Sequence, residues 1–175
     1  MSPTYYVLAA GVAALMTFTF SFVILKLSRR FRLYPSIRER DVHTRPTPRL
    51  GGIAMFLGIV IAFWVASQLG QFSLIFSEPA PVIGILIASL VIVLIGVADD
   101  IWDLDWVTKL AGQFIAAGLL AWQGVQIITV PIFGRTILSP YVLLIITVFA
   151  IVLVMNAINF IDGLDGLVTG VALIA

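Results

Sequence analysis

Cysteine is absent from this 175-residue sequence, and charged residues make up only 11% of it. The absence of cysteine excludes a secreted scaffold built on disulfides. The scarcity of charge excludes an ordinary soluble domain, in which about 25% of residues are charged, and it also excludes a disordered chain. What is present is 61% hydrophobic residues and a mean hydropathy of +1.14. The composition therefore predicts an integral membrane protein.

Long apolar runs recur along the chain, and a helix needs roughly 17–25 residues to cross a bilayer. We expect an all-α polytopic membrane protein that forms a single integral membrane domain over residues 1–175, with about five complete transmembrane helices and the start of a sixth. The predicted spans are residues 4–25, 50–69, 80–98, 108–123, 140–158 and 163–175. Because the last run is too short to cross, we interpret the sequence as an N-terminal piece of a longer protein.

Basic residues set the predicted orientation. Eight of the ten lysines and arginines lie between residues 26 and 49, directly after the first span. Excess Lys and Arg in a short loop marks the cytoplasmic side, so we expect the N-terminus outside and this loop inside. The acids then fall at cytoplasmic helix ends, except Glu78. Any chemistry should therefore face the cytoplasm.

Two further segments each allow two interpretations. The first span lacks the preceding basic segment and the cleavage site of a signal peptide, which favours a retained anchor. Residues 126–139 carry β-branched runs on both sides of a Phe-Gly-Arg sequence. This pattern favours a short external β-hairpin over an irregular loop.

The first of three polar motifs lies in the basic loop and reads DVHTRPTPRLGG. Its prolines exclude helix, and His43, Arg45 and Arg49 lie within one short stretch. These side chains suit a phosphate or a phospholipid headgroup. Anchoring to the membrane surface is the alternative for the two arginines.

The second motif follows an apolar helix and carries Asp99, Asp100, Asp103 and Asp105, with Lys109 after them. Adjacent carboxylates at a membrane boundary repel each other, and a cation relieves this repulsion. If the helix continues, Asp103 lies i,i+4 from Asp99 and i,i+3 from Asp100. Oxygen ligands suit Mg²⁺, which typically takes one or two carboxylates and substrate phosphates. The alternative is a solvated helix end with Asp105 and Lys109 as an ion pair, which we favour for Asp105.

The third motif places a polar residue at every third position, at Asn156, Asn159, Asp162 and Asp165. On an α-helix these residues cover about half of the circumference, whereas a 3₁₀ turn would align them along one edge. Either arrangement lets two amides and two acids converge on a cleft. Helix capping is the alternative, and it explains one of the four at most.

The motifs HxRPxPRxGG, DDxxDLxxxxKLxGQ and NAxNFIDGLDGL together resemble the polyprenyl-phosphate N-acetylhexosamine-1-phosphate transferases, a glycosyltransferase 4 family. The resemblance covers about residues 38–167 and is strongest to the bacterial branch that uses GlcNAc-1-phosphate with undecaprenyl or decaprenyl phosphate. The sister branch with a MurNAc-pentapeptide donor usually has Lys shortly after the acid pair, where this sequence reads Ile-Trp-Asp.

The resemblance implies a Mg²⁺-dependent enzyme of the plasma (inner) membrane, with Mn²⁺ as a substitute. It would transfer a sugar 1-phosphate, GlcNAc-1-phosphate above all, from a UDP-sugar to a polyprenyl phosphate and release UMP. This reaction would be the first membrane step of cell-envelope polysaccharide synthesis. The implied partners are both substrates, the lipid bilayer and a second copy in a homodimer, without nucleic acid.

The resemblance also implies residue roles. The catalytic residues would be Asp99, Asp100, Asp162 and Asp165, of which the first three would bind the metal. The substrate-binding residues would be His43, Arg45, Arg49, Lys109, Asn156 and Asn159. Family members are longer and carry a further metal-binding Asp and a sugar-reading loop beyond the position of Ala175, so we expect this piece to be inactive alone.

The acid pair has two candidate roles in this reaction. The second pKa of a phosphate monoester is about 6, so the acceptor phosphate is mostly ionised at pH 7. A base would therefore gain little, and we expect Asp99 and Asp100 to act through metal and orientation.

Two other classes of protein rank below the transferase. A cation-coupled transporter would carry its acids in mid-helix beside broken helices, whereas these acids lie at predicted helix ends. A structural membrane subunit would not need three polar motifs on one face.

Overall fold

The structure, a computed structural model, describes residues 3–31, 50–128, 130–131, 135–136, 139–161 and 167–174. In chain order its elements are α1 (Pro3–Phe31), α2 (Gly51–Ser67), a 3₁₀ turn (Gly70–Phe72), α3 (Ser73–Phe76), α4 (Pro79–Trp102), α5 (Trp106–Trp122), β1 (Val130–Pro131), β2 (Arg135–Thr136), α6 (Pro140–Ile161) and α7 (Leu167–Ile174). The helical class predicted from the sequence is confirmed.

Three helices of the described residues are long and apolar enough to cross a membrane, namely α1 over Pro3–Arg30, α4 and α6. A fourth span results if α2 and the segment Gly70–Phe76 are counted together, although they are bent by 96°. Helix α5 has 17 residues, at the lower limit of roughly 17–25 for a span. The chain is a multi-pass membrane protein, and the count of five complete spans stays a prediction.

Outward-facing side chains are large and apolar. Phe18 and Phe22 on α1 and Phe149 and Leu153 on α6 are each more than half exposed. In water such a surface would drive association, whereas in a bilayer it contacts lipid chains that are equally apolar. These exposed faces agree with the membrane assignment.

The helices contact one another through small residues. Helix α2 packs along α1, and α5 lies between α4 and α6. The buried positions of α2 are Ala54, Gly58, Ala62 and Ala66, each four residues after the last. A methyl group at position 58 would collide with Thr17 Oγ1 and would lie 2.9 Å from the Thr17 backbone N. In lipid such close approach supplies the van der Waals contact that holds helices together.

The end of α4 is set by Asp103. This residue adopts a left-handed conformation with φ 49° and ψ 66°, and its N–H donates to Asp99 O at 2.9 Å. Asp105 then begins the next helix, because its carboxylate accepts from the N–H groups of Val107 and Thr108. Helix α4 therefore ends at Trp102, and Asp103 is its C-cap rather than part of the continuing helix on which the predicted i,i+4 relation to Asp99 depends.

The segment predicted as an external hairpin contains two short strands. Val130 pairs with Thr136 and Pro131 with Arg135 in antiparallel register. Residues 132–134, where the turn was predicted, lie outside the described residues. Before the strands, the N–H of Ile127 donates to Thr147 Oγ1 at 3.0 Å, which attaches this linker to α6.

Candidate functional site

The candidate site lies where α4 ends, α5 begins and α6 ends. Helix α5 connects its two neighbours through polar side chains one turn apart. Lys109 reaches Asp99 on α4, and Gln113 reaches Asn156 on α6. Since residues i and i+4 share one face of a helix, this face of α5 contacts the carboxylate of Asp99 on α4 and the amide of Asn156 on α6.

Asp99 and Lys109 form an ion pair across the α4–α5 turn. The distance from Lys109 Nζ to Asp99 Oδ1 is 2.8 Å, and the side chains are 29% and 24% exposed, respectively. The same oxygen accepts the N–H of Leu104 at 3.0 Å. Within the part of the chain that the structure describes, Asp99 Oδ2 has no hydrogen bond or ion pair. One oxygen therefore fixes the turn and the lysine, while the other can take a ligand.

Asp100 is half-buried beside Asp99 on the last turn of α4. Consecutive helical residues project about 100° apart, so the two carboxylates leave the helix in different directions. A ligand between them would have to lie off the end of α4.

Asp105 caps the N-terminus of α5. It is exposed, and hydrogen bonds from the Thr108 hydroxyl and then from backbone N–H groups lower the pKa of its carboxyl. The expectation of a solvated helix end is met, but the expected pair with Lys109 is wrong. Asp105 binds the first turn of α5, and Lys109 pairs with Asp99 instead.

The two described amides of the third motif differ in environment. Asn156 is half-buried and hydrogen-bonded to Gln113, whereas Asn159 is exposed. Helix α6 continues to Ile161, so the α-helical arrangement applies to both, and not the 3₁₀ one. The remaining predicted site residues lie outside the described residues and are His43, Arg45, Arg49, Asp162 and Asp165.

Gln113 was not predicted as a site residue. It is a polar residue within a mostly apolar helix. Its position four residues after Lys109 was the signal that could have identified it.

The carboxylate oxygens at this site are of the type that binds a hard divalent cation. No three His, Cys, Asp or Glu side chains of the described residues form a group that could hold a metal. Asp99 and Asp100 nevertheless supply carboxylate oxygens, and Mg²⁺ is usually bound by one or two carboxylates with water and substrate phosphates. The predicted third ligand, Asp162, lies outside the described residues.

An apolar cavity of about 320 Å³ lies between the helices. Its wall includes Met55 on α2, Ile92 on α4, Leu120 on α5 and Met155 on α6. Met155 precedes Asn156, so the apolar cavity and the polar contact between α5 and α6 are adjacent along α6.

Comparison with known proteins gives a consistent set of relatives. Residues 82–175 match the family described as glycosyl transferase family 4. A decaprenyl-phosphate N-acetylglucosaminephosphotransferase of Mycobacterium tuberculosis is 42% identical over 93% of this chain and 41% of its own length. A probable undecaprenyl-phosphate N-acetylglucosaminyl 1-phosphate transferase of Bacillus subtilis is 30% identical over 78% of this chain and 36% of its own.

A second kind of relative is also similar. A phospho-N-acetylmuramoyl-pentapeptide-transferase of Anoxybacillus flavithermus is 31% identical over 100% of this chain and 58% of its own length. The chain spans about two fifths of the length of the mycobacterial relatives. No solved structure matches it.

Proposed function

Because this chain belongs to glycosyl transferase family 4, we propose that it transfers a sugar 1-phosphate from a UDP-sugar to a polyprenyl phosphate. GlcNAc-1-phosphate is the proposed group, since the names of the mycobacterial and Bacillus relatives specify N-acetylglucosamine and a polyprenyl phosphate. The observation that carries the proposal is the Asp99–Lys109 pair beside Asp100, at the end of an apolar helix.

The proposed reaction exchanges one phosphoanhydride bond for another. An oxygen of the acceptor phosphate attacks the sugar-bearing phosphorus of the UDP-sugar, the bond from that phosphorus to the bridging oxygen breaks, and UMP leaves with the bridging oxygen. The product is a polyprenyl diphosphate sugar. Catalysis of phosphoryl transfer depends mainly on positioning and charge neutralisation, so the site needs cations more than it needs a base.

Lys109 is the described cation suited to this task. Both side chains of its pair with Asp99 are part-exposed, so an incoming phosphate can reach Lys109. Lys109 would then hold a phosphate while Asp99 turns towards a cation.

A divalent cation, Mg²⁺ with Mn²⁺ as a substitute, would be held by Asp99 and Asp100, with Asp162 as a further ligand. When bound, it would neutralise phosphate charge. The acceptor phosphate is mostly ionised at neutral pH, so the proposed role of the carboxylates is to hold and orient rather than to remove a proton.

The membrane supplies the acceptor. The cavity lined by Met55, Ile92, Leu120 and Met155 is apolar, which suits a hydrocarbon chain whose phosphate lies at the bundle end. The basic end of α1, with Lys26, Arg29 and Arg30, supports an orientation in which this end faces the cytoplasm. A homodimer stays a prediction.

A second donor remains to be tested, because a pentapeptide transferase is 31% identical to this chain. The Ile-Trp-Asp sequence after the acid pair favours the GlcNAc donor over UDP-MurNAc-pentapeptide.

The test is UMP release by the complete gene product in membranes, with polyprenyl phosphate, Mg²⁺ and either donor. We expect release with UDP-GlcNAc that EDTA abolishes. Release with the pentapeptide donor alone would move the chain to the other branch. No release with either donor from folded protein would refute the transferase and favour a cation-coupled transporter.

A further inference from the structure

The amide of Asn156 makes two hydrogen bonds through one atom. Its Nδ2 lies 2.6 Å from Gln113 Oε1 and 2.8 Å from Val152 O. A backbone carbonyl can only accept, so the atom facing Val152 must be the NH₂ group. The Gln113 atom facing the same group must then be its oxygen.

These two bonds use both hydrogens of the Asn156 NH₂ group. No described residue donates to Asn156 Oδ1. The carbonyl oxygen is therefore the atom that can take a ligand, and an oxygen acceptor binds only an electropositive group. A phosphate oxygen is excluded as its direct partner.

Gln113 determines how this oxygen is held. The bond to Val152 lies within α6, and by itself it would leave the amide plane free to turn about that one contact. The bond to Gln113 comes from a different helix, 43 residues away in sequence, and two anchors fix the plane. Without Gln113, one N–H of a half-buried amide has no partner, and the contact with Val152 alone holds the amide.

We propose that Gln113 is a positioning residue that holds the Asn156 carbonyl oxygen ready for an electropositive ligand of the transferase site. The ligand is a divalent cation or an N–H or O–H group of the nucleotide sugar. Lys109, one turn earlier on α5, pairs with the Asp99 carboxylate of α4, so one face of α5 contacts both α4 and α6. This inference rests on the proposed transfer reaction.

The test compares two variants of similar length in the complete gene product. Gln113→Glu keeps an acceptor oxygen for Asn156, whereas Gln113→Met removes it. Gln68→Met is the matched control, because the Gln68 side chain is exposed and, among the described residues, bonds only to the adjacent Ser67. We expect Gln113→Met to lower kcat/KM by about 10-fold or more, as residues that orient a ligand do. Gln113→Glu should recover most of that loss, and Gln68→Met should match the parent.

The kinetic constants distinguish the two ligands. A rise in the Mg²⁺ concentration for half-maximal rate assigns the cation to Asn156, whereas a rise in KM for the UDP-sugar alone assigns the nucleotide sugar. Either result supports the proposal. Equal rates for Gln113→Met and the parent, or equal losses for the Met and Glu variants, would overturn it.

A thermal unfolding cycle of Gln113→Met and Asn156→Leu in detergent measures the contact without activity. We expect the double variant to lose less than the sum of the single losses, and additive losses would overturn the contact itself. If the losses are not additive but the protein releases no UMP, the contact between Gln113 and Asn156 is retained and the proposed function is refuted. Gln113 then has no role in a transfer reaction.

Discussion

At the residue scale, Asp99 shows how one carboxylate serves both the fold and the proposed reaction. Its Oδ1 holds Leu104 and Lys109, and its Oδ2 remains for a ligand. Any substitution of a residue with two roles should lower activity. The pH dependence of that loss shows whether Asp99 acts as a base.

We expect Asp99→Asn to lose transferase activity at every pH from about 5 to 9. The reason is that an amide weakens both the pair with Lys109 and the binding of a cation. The pH profile of UMP release checks this, with Asp105→Asn as the matched control. Loss confined to pH below about 6, where the acceptor phosphate is protonated, would instead show that Asp99 acts as a base.

Asp105 should make the stability of the folded protein fall at low pH. Hydrogen bonds from Thr108 and Val107 lower the pKa of its folded carboxyl below the ordinary value of about 3.9. Its contribution is therefore full above about pH 4 and is lost as pH falls through the lower, folded pKa. Asp105→Asn retains a good cap without a charge, so thermal unfolding in detergent should vary less with pH below about 4. Identical pH dependence in both proteins would contradict this assignment.

At the element scale, the close approach of α1 and α2 at Gly58 allows a direct test of helix packing. A methyl group at Gly58 would meet backbone atoms of Thr17 and Ala13 at 2.9 and 3.0 Å, which cannot move aside as a flexible side chain can. We expect Gly58→Ala to destabilise the protein by about 1–3 kcal/mol through overpacking. The unfolding midpoint in detergent measures this.

Gly118→Ala is the matched control on α5, because a methyl group there has no atom within 4 Å. Its better helix propensity should stabilise by up to about 1 kcal/mol. Equal effects of the two substitutions would show that α1 and α2 do not pack closely at Gly58.

The elements also show what the sequence could predict. Apolar run length is a local property, so α1, α4 and α6 follow from composition alone. The end of α4 does not, because a left-handed Asp103 lacks the glycine signal that usually marks such a position. That turn decides whether Lys109 meets Asp105 or Asp99. The contact of Gln113 with Asn156 is likewise a product of helix packing, which periodicity does not reveal.

At the scale of the whole molecule, the fold brings a charged bundle end next to an apolar body. Asp99, Asp100 and Lys109 lie where α4 leaves the apolar region, and Met155 of the cavity wall directly precedes Asn156 on α6. A reaction between a soluble nucleotide and a lipid phosphate requires this arrangement. A transporter would instead need its acids near the middle of the membrane.

In the proposed reaction a phosphorylated sugar, and not the sugar alone, moves to the lipid. The most direct measurement is the mass of the lipid product together with the released nucleotide, from polyprenyl phosphate and UDP-GlcNAc. We expect a polyprenyl diphosphate GlcNAc and an equal amount of UMP. A polyprenyl monophosphate sugar with released UDP would show that the bond between sugar and phosphate is broken instead, and would contradict the proposed reaction.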